Sequence, residues 1–287
     1  MTSSRWQWII GLAFVVELGA ILVTGGIAAL RLNDAMLHTA VYTGASAWLL
    51  LAIVTLAPAH SGLRSWTGTL QFVACWLIFP LFKAIRQVFI THTADAALLR
   101  LDRWLWGGIS LPEHLLHWEH PWLSEIFSGA YFLFYFVVLL PAIGFSWRRR
   151  SHEARAFFTG LTLMYLVGFT GYVLVPAGGP YMAFPETFPY PVHGGVMTAF
   201  LAGIVRNGIT GMDVFPSLHG GIGAYVFGFF ALGGYRRIAA ILAPVTAALI
   251  VATVYLRYHY GIDLLCGLAL AVMVLAFVQH YRKESCL

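Results

Sequence analysis

The sequence predicts an all-α fold, a polytopic membrane helix bundle of about eight transmembrane helices, and three observations predict it. Of 287 residues, 60% are hydrophobic and only 10% are charged, whereas water-soluble domains carry about a quarter charged residues. The charges are bunched and leave long apolar stretches, and a helix needs about 20 such residues to cross about 30 Å of hydrocarbon. The 17 Lys and Arg residues fall in short clusters between those stretches, as orientation signals do. Disorder, a disulfide scaffold and nucleic-acid binding are thereby excluded as main descriptions, the last despite a net charge of +5. Cys75, Cys266 and Cys286 form neither a bridge framework nor a zinc spacing.

In chain order the apolar runs are Trp8 to Leu30, Met36 to Leu56, Trp66 to Ile90, Ile126 to Trp147, Ala156 to Val175, Val214 to Tyr235, Ile238 to Leu256 and Ile262 to Val278. The first exceeds the apolar core of a cleaved signal peptide and counts as a span. It carries Glu17, which reads either as a buried hydrogen bond to a neighbouring helix or as part of a proton path. The third carries Lys83 and Arg86, three apart on one face near its end. Between the third and fourth runs, Asp95 to Trp106 places leucines and tryptophans on one helical face and charges on the other. Such a segment lies flat at the membrane interface. No internal repeat interrupts the chain, so residues 1–287 read as a single membrane domain with N-terminal helices at 1–92, an outer interfacial segment at 93–125 and the remaining helices at 126–281.

With eight spans both termini share a side. That side holds ten of the basic residues, Arg5, Arg64, Arg148, Arg149, Arg150, Arg155, Arg236, Arg237, Arg282 and Lys283, as compact flanks. The other side holds seven, Arg31, Lys83, Arg86, Arg100, Arg103, Arg206 and Arg257, spread over longer segments. The positive-inside rule therefore puts both termini in the cytoplasm of a plasma or inner membrane. Two long connections, Thr91 to Glu125 and Pro176 to Asp213, then lie outside, and long connections in compact folds are more often functional than idle.

Two stretches place histidines and an aspartate where lipid tolerates them poorly: Phe215-Pro-Ser-Leu-His-Gly-Gly221 and Tyr255-Leu-Arg-Tyr-His-Tyr-Gly-Ile-Asp263. Both fall at outer span ends. His259 and Asp263 are four apart, so on a continuous helix the carboxylate can hold one imidazole nitrogen and leave the other free as nucleophile or base. The plainer alternative is a polar cluster that ties helices together. His114, His117 and His120, with Glu119 between them, have spacing compatible with a metal on one helix, but Pro112 and Pro121 argue against a single helix there. No metal site is read from them.

The two stretches resemble the type 2 phosphatidic acid phosphatase superfamily of integral membrane enzymes. Its Pro-Ser-x-His motif is matched by Pro216, Ser217 and His219, and its His-Tyr-x-x-Asp motif by His259, Tyr260 and Asp263. Leu101 to Gly107, Val175 to Tyr181 and Phe215 to His219 are similar to the branch containing inositol phosphotransferases that make inositol phosphorylceramide. The resemblance covers roughly Leu101 to Val278. It implies a six-helix catalytic core and a metal-independent phosphoryl transfer without a cofactor. In that transfer the histidine at 259 attacks phosphorus, Asp263 orients it, and the histidine at 219 protonates the leaving oxygen. Such a transfer needs fixed donors around the phosphoryl oxygens, and Ser217 with the amides of Gly220 and Gly221 at a helix start can supply them.

This chain departs from the superfamily pattern in its basic residues. Val175 to Tyr181, which includes Gly179, Pro180 and Tyr181, lacks the Lys and Arg-Pro pair of the superfamily's first motif. The superfamily's third motif, which ends in His-Tyr-x-x-Asp, has Thr253 here in place of its arginine, while Arg257 lies two before the histidine, about 200 degrees away on an unbroken helix. Lys83 and Arg86 are therefore expected to replace the missing cations as a phosphate clamp, with snorkelling to headgroups as the plainer reading. The reading is a membrane lipid phosphotransferase or phosphatase, with the lipid and the bilayer as its partners and no nucleic acid. Its active site opens outward, and it acts on a phospholipid head group, with phosphoinositol transfer to a lipid alcohol favoured. Hydrolysis of lipid phosphates or polyprenyl diphosphates is the alternative. A transporter is more remote, since the paired interrupted repeats of that class are absent.

Overall fold

The computed structural model describes residues 3–58 and 62–284; Cys286 lies outside the described residues. The fold is 79% helix, with no strand among the described residues. In order come α1 (Ser3–Leu32), α2 (Ala35–Leu56), a 3-10 turn (Gly62–Trp66), α3 (Thr67–Ile78), α4 (Leu81–Phe89), α5 (Asp95–Leu105), α6 (Leu111–Leu116) and α7 (Pro121–Trp147). They are followed by α8 (His152–Leu174), α9 (Pro180–Ala183), α10 (Val196–Gly208), α11 (Leu218–Leu232), α12 (Arg236–Tyr255) and α13 (Gly261–Glu284).

Six of these, α1, α2, α7, α8, α12 and α13, are long and apolar enough to cross a membrane, seven spans in all if α3 and α4 count as one bent span. The expected count of about eight falls short for two local reasons. The third run bends by 45° between α3 and α4, where Pro80 has no N–H to continue the ladder and its ring crowds the preceding turn. The chain responds with tighter i to i−3 bonds, Phe82 N to Phe79 O and Lys83 N to Pro80 O, both 3.1 Å. The sixth run becomes α11, only 15 residues long, about 22 Å at 1.5 Å per residue. It starts at Leu218 because Ser217 caps it, its hydroxyl oxygen accepting Gly220 N at 3.4 Å.

The chain divides into two compact units, one from Met1–Thr91, Leu139–Thr170 and Met273–Leu287, the other from His92–Val138 and Gly171–Val272. In the first, helices are tied by polar contacts as well as packing, as suits lipid, where apolar burial between helices contributes little. Thr162 donates to Gln71 at 2.8 Å, Thr69 to Ser146 at 2.9 Å and the Trp48 indole to the Val15 carbonyl at 2.7 Å. Glu17 accepts the Thr170 hydroxyl at 2.8 Å, the interhelical hydrogen bond that was one of its two sequence readings. Ala28, Ala29, Leu37 and Ala84 form a small-residue core that lets α1, α2 and α4 approach closely.

The second unit is organised around a core of Leu98, Leu99, Ala177, Phe188, Val214 and Tyr260. Here one sequence expectation is corrected. Asp95 and Asp102 do not share a charged outer face of α5; they are buried beside Leu98 and Leu99, while Leu101, Trp104 and Leu105 are exposed. The i, i+3, i+4, i+7 spacing puts all four on one face, and the carboxylates are accepted there because backbone N–H groups meet them.

Candidate active site

The end of α12 sets up the site. Helical bonding stops at Tyr255, and Arg257 takes a left-handed φ of 66°. The N–H groups of Tyr258 and His259 both return to the Thr253 carbonyl, at 3.2 and 3.0 Å. His259 therefore stands in a turn just before α13, not on a continuous helix. Its Nδ1–H still donates to Asp263 Oδ2 at 2.8 Å, both side chains being buried, which fixes the tautomer and leaves Nε2 with the lone pair.

The start of α11 meets the first turn of α13. Ser217 N donates to the Asp263 carbonyl at 3.0 Å, and α13 can come this close because position 267 is glycine: a Cβ there would run into the Ser217 backbone. The result brings the His219 and His259 rings to 6.1 Å between centroids. His219 is stacked under Tyr131 at 4.7 Å and packed by Phe134 at 4.5 Å, both from α7. Its Nδ1 is buried without a hydrogen-bond partner.

Two histidines, a carboxylate on one of them and a serine-capped helix start thus meet in one unit, in the order of the two sequence motifs. A family model described as the PAP2 superfamily matches residues 96–277, more than half of the chain. The chain belongs to the PAP2 superfamily. No curated protein and no solved structure matches it. PAP2 superfamily members are phosphatases and phosphotransferases, and the long apolar helices here are those of an integral membrane protein.

Against the PAP2 superfamily pattern, the other expected residues stand as follows. Gly179, at φ 87°, and Pro180 are buried beside the third motif; a Cβ on Gly179 would strike the Tyr258 carbonyl. Tyr181 N donates to the Arg257 carbonyl at 3.2 Å, and its ring lies 5.6 Å from that of Tyr258. The Gly220 and Gly221 amides are engaged in the start of α11, bonded to the Ser217 hydroxyl and carbonyl oxygens. Ser217 keeps its hydroxyl proton as a donor. Because the helix breaks, the 200-degree argument against Arg257 does not apply. Arg257 is buried, and it donates to the Pro189 carbonyl and to the Glu119 carboxylate. Glu119 also accepts the His193 N–H and Nδ1, each at 2.7 Å. Burial pushes the Glu119 carboxyl upward, but the His193 hydrogen bonds and the Arg257 charge outweigh it and hold it below its usual range. Lys83 and Arg86 belong to the first unit, half-buried on α4, where Arg86 donates to the Ile90 carbonyl at 2.6 Å. His114, His117 and His120 are exposed and divided between the end of α6 and the start of α7. Among the described residues no group of three or more His, Cys, Asp or Glu is gathered for a metal.

Three further groups were not foreseen. Asp95 accepts Gly178 N at 3.0 Å, Gly179 N at 2.9 Å and the Tyr260 hydroxyl at 3.0 Å. It thereby joins the first-motif stretch to the third motif. Asp102 accepts Ile262 N at 2.7 Å, Leu111 N at 2.9 Å and the Trp106 indole at 3.2 Å. The third is the aromatic wall of Tyr131 and Phe134, for which sequence spacing carries no signal. For the two aspartates the signal was their i, i+7 placement in phase with leucines.

Proposed function

We propose that the protein transfers a phosphoryl-containing group from a membrane lipid through a phosphohistidine at His259. The observation that carries this is the Asp263–His259 hydrogen bond of 2.8 Å with the His219 ring 6.1 Å from it. With Nδ1 occupied, His259 Nε2 attacks phosphorus. The N–P bond forms as the P–O bond to the leaving group breaks, and His219 gives that oxygen its proton. In the second half an incoming hydroxyl loses its proton to His219 and attacks phosphorus, which releases His259. Asp263 stabilises the cationic ring of the phosphohistidine that forms in the first half, and the Ser217 hydroxyl donates to a phosphoryl oxygen.

Water as the incoming hydroxyl gives a phosphatase and a lipid alcohol gives a phosphotransferase. The likeness of Leu101 to Gly107 and Val175 to Tyr181 to the inositol phosphotransferase branch favours transfer of a phosphoinositol-like head group. Incubating the purified protein with phosphorus-labelled lipids, with and without inositol, tests both halves. Acid-labile label on wild-type protein but not on His259→Ala is expected, with analysis of lipid and soluble products identifying the acceptor. Turnover by His259→Ala would sink the nucleophile assignment.

A further inference from the structure

At one end of the first unit, the side chains of Arg148, Arg149 and Arg150 form no hydrogen bond and no ion pair among the described residues. They make the turn between α7 and α8. The 3-10 turn Gly62–Trp66 meets them there: the Arg149 guanidinium lies 3.8 Å from the centroid of the Trp66 ring, and a Cβ on Gly62 would stand 3.2 Å from the Arg150 guanidinium. The Arg149 Nε is buried without an acceptor, so the stacked side chain carries an unmet donor.

The other charges of these segments are already engaged. Arg64 Nε donates to the Ala57 carbonyl and Arg155 to the Arg150 carbonyl, each at 2.6 Å. Glu153, the one acidic residue within 62–66 and 147–155, accepts Arg282 at 2.5 Å. Uncompensated positive charge therefore collects at the turn, and it collects at headgroup depth. Trp66 and Trp147, which flank it, are exposed, and tryptophans at the ends of membrane helices sit where the hydrocarbon meets the headgroups. Stacking on the indole occupies the face of the Arg149 guanidinium and leaves its edge, a planar row of N–H donors, for two oxygens of one phosphate. Holding the side chain in place beforehand also lowers the ordering cost of binding.

We propose that the stacked Trp66 and Arg149, with Arg148 and Arg150 beside them, bind the phosphate of an anionic phospholipid in the leaflet that these basic flanks face. This lipid is held, not turned over: the site lies in the first unit, whereas His219, His259 and Asp263 belong to the second. The inference therefore stands apart from the phosphohistidine chemistry. Ordinary basic flanks attract an anionic surface by about 1 kcal/mol per side chain without fixing a lipid in one place. A built site loses its lipid when one defined residue is changed.

The test uses the full chain in detergent micelles doped with dioleoyl phosphatidylglycerol, with dioleoyl phosphatidylcholine or inorganic phosphate as the comparisons. Native mass spectrometry counts the lipid retained, and thermal unfolding is followed in parallel. Wild type should retain phosphatidylglycerol saturably and unfold at a higher temperature with it, and neither comparison should do the same. Arg149→Gln and Trp66→Leu should each weaken the apparent affinity by about tenfold, the loss of one charge-assisted contact or of its support. Arg149→Lys should also be weakened, since an ammonium keeps the charge but not the fork, and it replaces the glutamine variant if that does not fold. A double Arg236→Gln, Arg237→Gln variant removes two basic flanks outside the site and should bind as wild type does. Equal losses in the double variant and in the Arg149 variants would overturn the site in favour of diffuse surface attraction. Equal stabilisation by phosphatidylcholine or by inorganic phosphate, or an affinity unmoved by the Arg149 and Trp66 variants, overturns it as well.

Discussion

The buried carboxylate of Asp102 accepts the backbone N–H of Ile262 at 2.7 Å, so a residue of α5 caps the helix whose first turn carries Asp263. The same carboxylate accepts Leu111 N and the Trp106 indole, so one buried side chain serves three donors in part-buried hydrogen bonds. Hydrogen bonds to a charged group contribute about 1.5–3 kcal/mol each. Asp102→Ala should therefore lower stability by roughly 3–5 kcal/mol, and Asp102→Asn, which keeps one oxygen acceptor, by about 1–2 kcal/mol. Thermal unfolding of detergent-purified protein reads both. An alanine variant as stable as wild type would show that the cap contributes nothing.

The paired histidines predict a hierarchy of losses. His259→Ala and His219→Ala should each abolish turnover while the protein still extracts and elutes as wild type does, because each removes a group that makes or breaks a bond. Asp263→Asn should lose less, since it alters the tautomer and charge support of His259 but leaves the imidazole in place. Steady-state kinetics on the best lipid substrate decide this. A neutral Asp263→Asn would mean that the 2.8 Å contact has no catalytic use.

The helices and the histidines were legible for different physical reasons. Hydrocarbon demands long apolar runs, so six spans stand out from composition alone, and the four-residue step from His259 to Asp263 survives even though the helix begins only at Gly261. What local pattern could not supply was the backbone at Arg257. A positive φ at a non-glycine residue is set by tertiary contacts, here by the Glu119 and Pro189 partners of its side chain. The start of α11 was blurred for another reason. Hydropathy runs on through Val214 and Phe215, whereas the Ser217 cap that ends the extended chain is a single polar residue inside the run. Asp95 and Asp102 read as water-facing in the sequence because carboxylates usually are, although their register with Leu98 and Leu99 points inward.

Arg257 should behave as an anchor of the Pro176 to Asp213 loop. Its planar fork serves the Pro189 carbonyl and Glu119 together, which an ammonium cannot do in the same geometry. Arg257→Gln is expected to lower kcat/KM by on the order of 10- to 150-fold, equivalent to one charge-assisted contact, and Arg257→Lys should restore little. Glu119→Gln should fall in the same direction, because it removes the other half of the pair. If Glu119→Gln is neutral while Arg257→Gln fails, Arg257 acts on the phosphate and not through the loop. Lys83→Met and Arg86→Gln complete the series: near-normal kinetics in both would withdraw the clamp expected of them from the sequence.

The compact basic flanks predict a membrane orientation. Arg148, Arg149 and Arg150 follow α7 directly, and Arg236 and Arg237 open α12 at the end away from the turn that carries His259. Basic clusters stay in the cytoplasm, so the candidate site should face outward and draw on the outer leaflet. Single cysteines at Glu186, exposed in the long loop, and at Ser151, between α7 and α8, report this in a background with Cys75, Cys266 and Cys286 replaced. In intact cells an impermeant thiol reagent should label position 186 and spare position 151, with both labelled after permeabilisation. The reverse pattern would place the histidines on the cytoplasmic face and make the donor a lipid of the inner leaflet.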